Sequence, residues 1–185
     1  MDKEDYSFAY RVLFQGLKNE LTNNFHTRDY IFHWALSQFK DQPVNIFQVG
    51  AIETFRNEWR MGSGWSDMIF GQHIKKNGGK ITIADINLDH LCLSMVAASS
   101  FGYEVSIFYG DAINSIDEED YDIYYLDGSN DPKETLSQFN KIKNKSCIVL
   151  VDDFSIKGTL LAQTDYKFVV HNVANGVAVL DLRNP

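Results

Sequence analysis

The sequence predicts an α/β fold: a mostly parallel seven-stranded sheet with an N-terminal helical preface and a C-terminal antiparallel hairpin. Three observations carry that expectation. Short apolar runs alternate with helical patterns from residue 44 onward, helical spacing without strands occupies residues 5–40, and the last two runs are parted by only four residues. The 185 residues suit a single domain over 1–185, with the preface in 1–40 and the α/β core in 44–182.

Two helical patterns fall in the preface, the second the clearer: Ile31, Trp34, Ala35 and Phe39 recur at helical spacing and share a face. The strand candidates are 44–49, 80–84, 104–108, 122–126 and 146–151, each short and apolar on both faces, as a strand covered by helices on two sides must be. Between the second and third, Leu88, Leu91, Cys92, Met95, Val96 and Ser99 predict a crossover helix. The hairpin candidates are 167–171 and 176–182, joined through Asn172 to Asn175, with Asn175-Gly176 as turn chemistry.

Composition narrows the function classes. Lys and Arg number 17 against 25 Asp and Glu, a net charge of −8, and no basic stripe is present to neutralise phosphates. Nucleic acid is therefore not an expected partner. No apolar run approaches the roughly 18 residues of a membrane span, and the acidic start lacks a signal-peptide layout, so the expectation is a cytoplasmic protein without a membrane partner. Cys92 and Cys147 suit a reduced compartment and a small apolar role. The aromatic residues of the preface, Tyr6, Phe8, Tyr10, Phe14, Phe25, Tyr30, Phe32 and Trp34, read first as core. A homo-oligomer is left open.

In open α/β sheets ligands bind beyond the carboxyl ends of the strands, where strand order reverses, so the residue after each run matters most. Gly50 follows the first strand and lets the backbone turn sharply or approach a ligand. A loop with Glu53 leads to Gly62-Ser63-Gly64-Trp65-Ser66-Asp67 at a helix start, whose free N–H groups suit a carboxylate or phosphate. The intervening Phe55, Arg56, Trp59 and Arg60 are expected to cover part of the site. Asp85, followed by Ile86, ends the second strand, where a carboxylate accepts hydrogen bonds from ribose hydroxyls. The third ends in Tyr109-Gly110-Asp111-Ala112, the fourth in Asp127-Gly128-Ser129-Asn130-Asp131 and the fifth in Asp152-Asp153. Asp127, Asp152 and Asp153 would suit Mg²⁺, an oxygen-preferring ion. The plain structural alternative has them capping turns and the following helix, with no ion. His171 is the one histidine weighed as a base, against a structural role at the hairpin; His26, His33, His73 and His90 show no metal spacing.

These motifs, in this order over residues 44–182, resemble the class I methyltransferases, and within them the small-molecule O-methyltransferases of the catechol and macrocin type, with Asp-Gly after strand four and Asp-Asp or Asp-Asn after strand five. The resemblance implies a Rossmann-like fold, S-adenosylmethionine as cofactor, and in-line methyl transfer to a small-molecule acceptor, an oxygen first of all. It implies that Gly50, Glu53, Gly62 to Ser66, Asp85, Ile86, Asp111, Ala112, Asp127 and Gly128 hold the cofactor, Asp111 reading adenine. Asp127 and His171 are the catalytic candidates. The first motif departs from the family form, since one glycine and eleven residues, Ala51 to Met61, precede Gly-Ser-Gly. Two other classes compete. A nucleotide-dependent oxidoreductase needs Gly-x-Gly-x-x-Gly directly after the first strand, which is missing. A binding module would keep the fold and cofactor without turnover.

Overall fold

The computed structural model describes residues 28–54, 66–171 and 176–183. Its seven-stranded sheet has the order β3-β2-β1-β4-β5-β7-β6. The strands are β1 (Val44–Val49), β2 (Gly79–Asp85), β3 (Ser106–Tyr109), β4 (Ile123–Leu126), β5 (Ile148–Val151), β6 (Val169–His171) and β7 (Val177–Asp181). The first five run parallel, and β7 lies antiparallel between β5 and β6. The expected architecture is the observed one. Strand ends differ from the apolar runs by one or two residues, because the ladder and not hydrophobicity sets where pairing stops.

The helices are α1 (Arg28–Ser37), α2 (Ser66–Asn77), α3 (Leu88–Phe101), α4 (Pro132–Ile142) and the single turn α5 (Phe154–Lys157). Alternation along the central strands sends Ile46, Ile81, Ile83, Ile123, Tyr125 and Leu150 to one core with α1, α2 and α3. Phe47, Val49, Tyr124, Leu126 and Val149 face the other, with Phe139 and Ile142 of α4. On the α1 side Phe32, Phe70 and Tyr125 meet edge-on, their ring centres 5.0–6.0 Å apart. That contact fixes α1 and α2 over the tip of β4.

Two expectations about burial are corrected. In α3 the inward face is Leu91, Ser94, Ala97, Ala98 and Phe101, while Leu88, Met95 and Val96 are exposed. Small residues let the helix approach the sheet closely, so the buried stripe follows size as well as hydrophobicity. β3 is an edge strand, with Ile107 and Tyr109 exposed rather than covered on both faces. In α1 the buried residues are Ile31, Phe32, Ala35 and Leu36, with Trp34 packed partly against them, as its spacing suggests. Cys147 is buried just before β5, whereas Cys92 is exposed on α3. The earlier preface helix and the Asn172–Asn175 turn lie outside the described residues; Gly176 beyond it has φ +88°.

β1 pairs with both β2 and β4, so chain order reverses between β1 and β4. Val49 is level with Ala84 and Leu126, and Leu126 with Val151. The register brings Gly50, Asp85, Asp127 and Asp152 to one end of the sheet, at the switch point where ligands of such sheets bind.

Candidate functional site at the strand tips

A cleft of about 520 Å³ opens at that end. Its wall runs from Gly110, Asp111 and Ala112 beyond β3, past Asp85, Ile86 and His90, across Gly50, Ala51 and Glu53, to Asp127, Gly128, Ser129, Asn130 and Glu134, ending at Asp153 and Lys157. The size is ordinary for a small-molecule site.

The floor depends on how β1 ends. Gly50 has φ +92°, and a Cβ there would stand 2.4 Å from the Asp127 carbonyl oxygen, so only glycine lets this loop leave the strand against β4. Three side chains then pin the loop. Gln48 Nε2 donates to the Gly50 carbonyl at 2.7 Å, Ala51 N–H donates to Asp85 Oδ2 at 2.9 Å, and Ile52 N–H donates to Ser94 Oγ at 3.0 Å. The other oxygen of Asp85 accepts from Asn87 N–H at 2.7 Å, and His90 Nδ1 stands 3.4 Å from Oδ2. Asp85 thus shapes the loop as well as facing the cleft; a carboxylate has about four acceptor positions, so both roles fit one side chain. Beside it Ile86 is 74% exposed and offers an apolar edge at the rim. Asp111 Oδ1 accepts from Ile113 N–H at 3.0 Å, capping the 3-10 turn Ala112–Asn114 while its side chain lines the wall.

At the opposite end the carboxylates join a ring of charges. Asp152, fully buried, accepts from the Tyr125 hydroxyl at 2.7 Å and pairs with Arg28 at 2.9 Å. Arg28 also reaches Asp153 at 2.9 Å, and Lys157, itself 3% exposed, donates to Asp127 at 2.5 Å and stands 3.6 Å from Asp153. The Tyr125 hydroxyl lies 3.1 Å from Asp127 Oδ2 as well. A phenol has one hydrogen, so serving both carboxyls requires a proton on one of them. Burial, then the neighbouring Asp152, raises the Asp127 pKa above the usual carboxylate range, against the pull of Lys157. Burial also raises Asp152, and Tyr125 is pushed well above an ordinary phenol. Burial disfavours the charged forms of Lys157 and Arg28, but the surrounding carboxylates outweigh it and both stay cationic.

The cleft collects Gly50, Glu53, Asp85, Ile86, Asp111, Ala112, Asp127 and Gly128. Four expectations fare otherwise. Ser66 is buried away from the cleft wall, its hydroxyl donating to Gln48 Oε1 at 3.1 Å, and so holds α2 to β1. Gly62, Ser63, Gly64 and Trp65, with Phe55, Arg56, Trp59 and Arg60, lie outside the described residues. His171 is not with Asp127: β6 is the far edge of the sheet, and His171 lines a separate depression with Tyr30, Trp34 and Val179. Finally, Asp127, Asp152 and Asp153 do not fit Mg²⁺. Among the described residues no three His, Cys, Asp or Glu side chains are placed to hold a metal, because these oxygens face Lys157, Arg28 and Tyr125. Sequence reasoning missed those three and Gln48. Lys157 alone left a signal, four residues after Asp153 on a helical turn.

No protein-family model matches the sequence, and no curated protein matches it closely enough to count as a relative. Solved structures do resemble it. A methyltransferase of Podospora anserina, with S-adenosylhomocysteine bound, superposes with a TM-score of 0.61 at 14% identity, over 82% of this chain and 76% of that one. The chain has the Rossmann-like methyltransferase fold. The cofactor-bound protein Rv0187 from MTB gives 0.61 at 13% identity, over 94% and 90% of the two chains. Ribosomal protein L11 methylase from Lactobacillus delbrueckii subsp. bulgaricus gives 0.54 at 12%, over 81% and 76%. At these identities the likeness concerns the path of the chain.

Proposed function

We propose that this protein is an S-adenosylmethionine-dependent methyltransferase acting on a small-molecule hydroxyl. One observation carries the reading: the cleft at the switch point is walled by six carboxylates, Glu53, Asp85, Asp111, Asp127, Glu134 and Asp153, with Lys157 the one lysine or arginine among the described lining residues. That wall attracts a cation and repels a polyphosphate. The dinucleotide cofactors of oxidoreductases carry a pyrophosphate and fit it poorly. S-adenosylmethionine carries a sulfonium, an ammonium and one carboxylate, and fits it well.

The residues take their roles from their places along the wall. Asp85 accepts from the ribose hydroxyls, Ile86 covers one face of the adenine, and Asp111 with Ala112 meets its edge. Gly50 and Gly128 leave room at the β1–β4 junction, where a Cβ on Gly128 would stand 3.0 Å from Val49. When bound, the cofactor would supply an electrophilic methyl group. The chain contributes proximity and alignment, the main source of rate in an in-line displacement. Asp127, with its raised pKa, accepts the proton that the acceptor hydroxyl loses and passes it to solvent afterwards. A cofactor-binding module without turnover shares every residue named so far except that use of Asp127, and acceptor-dependent turnover separates the two.

Calorimetric titration with S-adenosylhomocysteine, S-adenosylmethionine and NAD tests the reading: the first two bind and NAD does not. Asp85→Asn, which keeps an acceptor for one of the two loop amides, weakens binding by at least roughly 1.5–3 kcal/mol, the worth of a charged hydrogen bond. A folded wild-type protein that binds neither sulfur compound would sink the proposal.

A further inference from the structure

From the ring of charges at the β4 and β5 tips we infer that Lys157, braced by Arg28, is a built-in cation standing where a divalent metal would otherwise sit, and that the acceptor oxygen meets this ammonium. The inference rests on the methyltransferase reading for which end of the cleft receives the acceptor: Asp85 and Asp111 mark the nucleoside end, so Asp153 and Lys157 close the other.

Three carboxylates stand at adjacent strand tips, the ligand type a hard cation takes, but among the described residues they are not grouped to hold one in this arrangement. Their oxygens are already engaged. Lys157 bridges Asp127 and Asp153, Arg28 bridges Asp152 and Asp153, and the Tyr125 hydroxyl lies between Asp127 and Asp152. The circuit is closed, and both cations are stabilised by it. A metal entering here would displace an ammonium whose side chain is 4% exposed, leaving that charge buried beside a second cation.

Lys157 nevertheless lines the cleft. An ammonium has three N–H donors; Asp127 takes one, and Asp153, at 3.6 Å, is held mainly by charge. A fixed, desolvated cation at the acceptor end favours the oxygen of a hydroxyl that is losing its proton, the electrostatic service a metal would give.

Mn²⁺ uptake decides the matter without an acceptor. The protein, with and without S-adenosylhomocysteine, is titrated with Mn²⁺ and the free ion is followed by electron paramagnetic resonance. Wild type takes up no ion at these residues in the millimolar range. Lys157→Met binds a single Mn²⁺, which raises its melting temperature, and adding Asp127→Asn abolishes the gain. Mn²⁺ bound by wild type and lost in Asp127→Asn overturns the inference, as does a folded Lys157→Met that binds none. If Lys157→Met does not fold, Lys157→Gln, which keeps a polar side chain without the charge, serves in its place: the same gain is expected, and its absence overturns the inference. S-adenosylhomocysteine binding is read separately in each sample, so loss of the cofactor reading shows there, whereas loss of the built-in cation shows in Mn²⁺ uptake.

Discussion

Asp67 lies fully buried in the first turn of α2, beside Ser94 and Tyr103. Burial outweighs the help of the Ser94 hydroxyl and pushes its carboxyl up to about 7 from an ordinary 3.8. Between those values the folded protein holds a proton that the unfolded chain has released. Its contribution to stability is therefore complete below pH 4 and is lost as pH rises through about 7, up to roughly 4 kcal/mol at 1.36 kcal/mol per unit. His33 and His73, which burial holds below their ordinary value, give the opposite slope near pH 6. The informative quantity is consequently the difference between wild type and Asp67→Asn in urea unfolding across pH 5–8: the mutant loses the Asp67 share of the downward slope, to which Asp127 and Asp152 also contribute, and an unchanged slope would place the Asp67 carboxyl in the ordinary range. Gly50 gives a second expectation at this scale. Gly50→Ala forces a Cβ to 2.4 Å from a backbone carbonyl at φ +92°. The strained backbone alone costs about 1–3 kcal/mol. The variant should unfold at markedly lower urea and, since the same loop floors the cleft, bind S-adenosylhomocysteine more weakly; wild-type affinity would detach Gly50 from the site.

Among the elements, α4 shows how local chemistry starts a helix that packing then places. Asp131 caps it by accepting from Lys133 N–H at 2.9 Å, Pro132 occupies the first turn, and Thr135, Gln138, Phe139 and Ile142 form its buried stripe. Asp131→Ala should cost about 1 kcal/mol, read as a shift in the urea midpoint with unchanged slope. The start of α4 matters to the site because Ser129, Asn130 and Glu134 around it line the cleft. α1 contributes differently. Its aromatic contact with Tyr125 and its Arg28 pairs with Asp152 and Asp153 tie the helical preface to the tips of β4 and β5, so helix docking and site electrostatics are one event.

Across the whole molecule, the switch between β1 and β4 gathers residues from five strand ends into one cleft, and binding there should stabilise the entire sheet. A ligand at one hundred times its dissociation constant adds about 2.7 kcal/mol. S-adenosylhomocysteine at such excess should raise the melting temperature by several degrees while NAD leaves it unchanged; the reverse order would favour the oxidoreductase class. The built-in cation carries a consequence for turnover: once an acceptor is found, methyl transfer should persist in excess chelator, and a rate abolished by chelator and restored by Mg²⁺ would contradict the Lys157 assignment.

Local order along the chain determined the alternation of strands and helices, the closing hairpin and the carboxylates at the tips, because strand period, turn chemistry and topological switch points are properties of neighbouring residues. Asp85, Asp111 and Asp127 were legible for that reason. The exposure of β3 and the buried face of α3 were not, since each depends on what lies across the sheet. Tertiary structure alone decided the charge balance at the acceptor end. Arg28 reaches Asp153 across 125 positions and Lys157 reaches Asp127 across 30. Three strand-tip aspartates read alone imply a metal; the same three beside a buried Lys157 and a partly buried Arg28 do not. A side chain's type is written in the sequence, but its partner, and so its charge state, is set by folding.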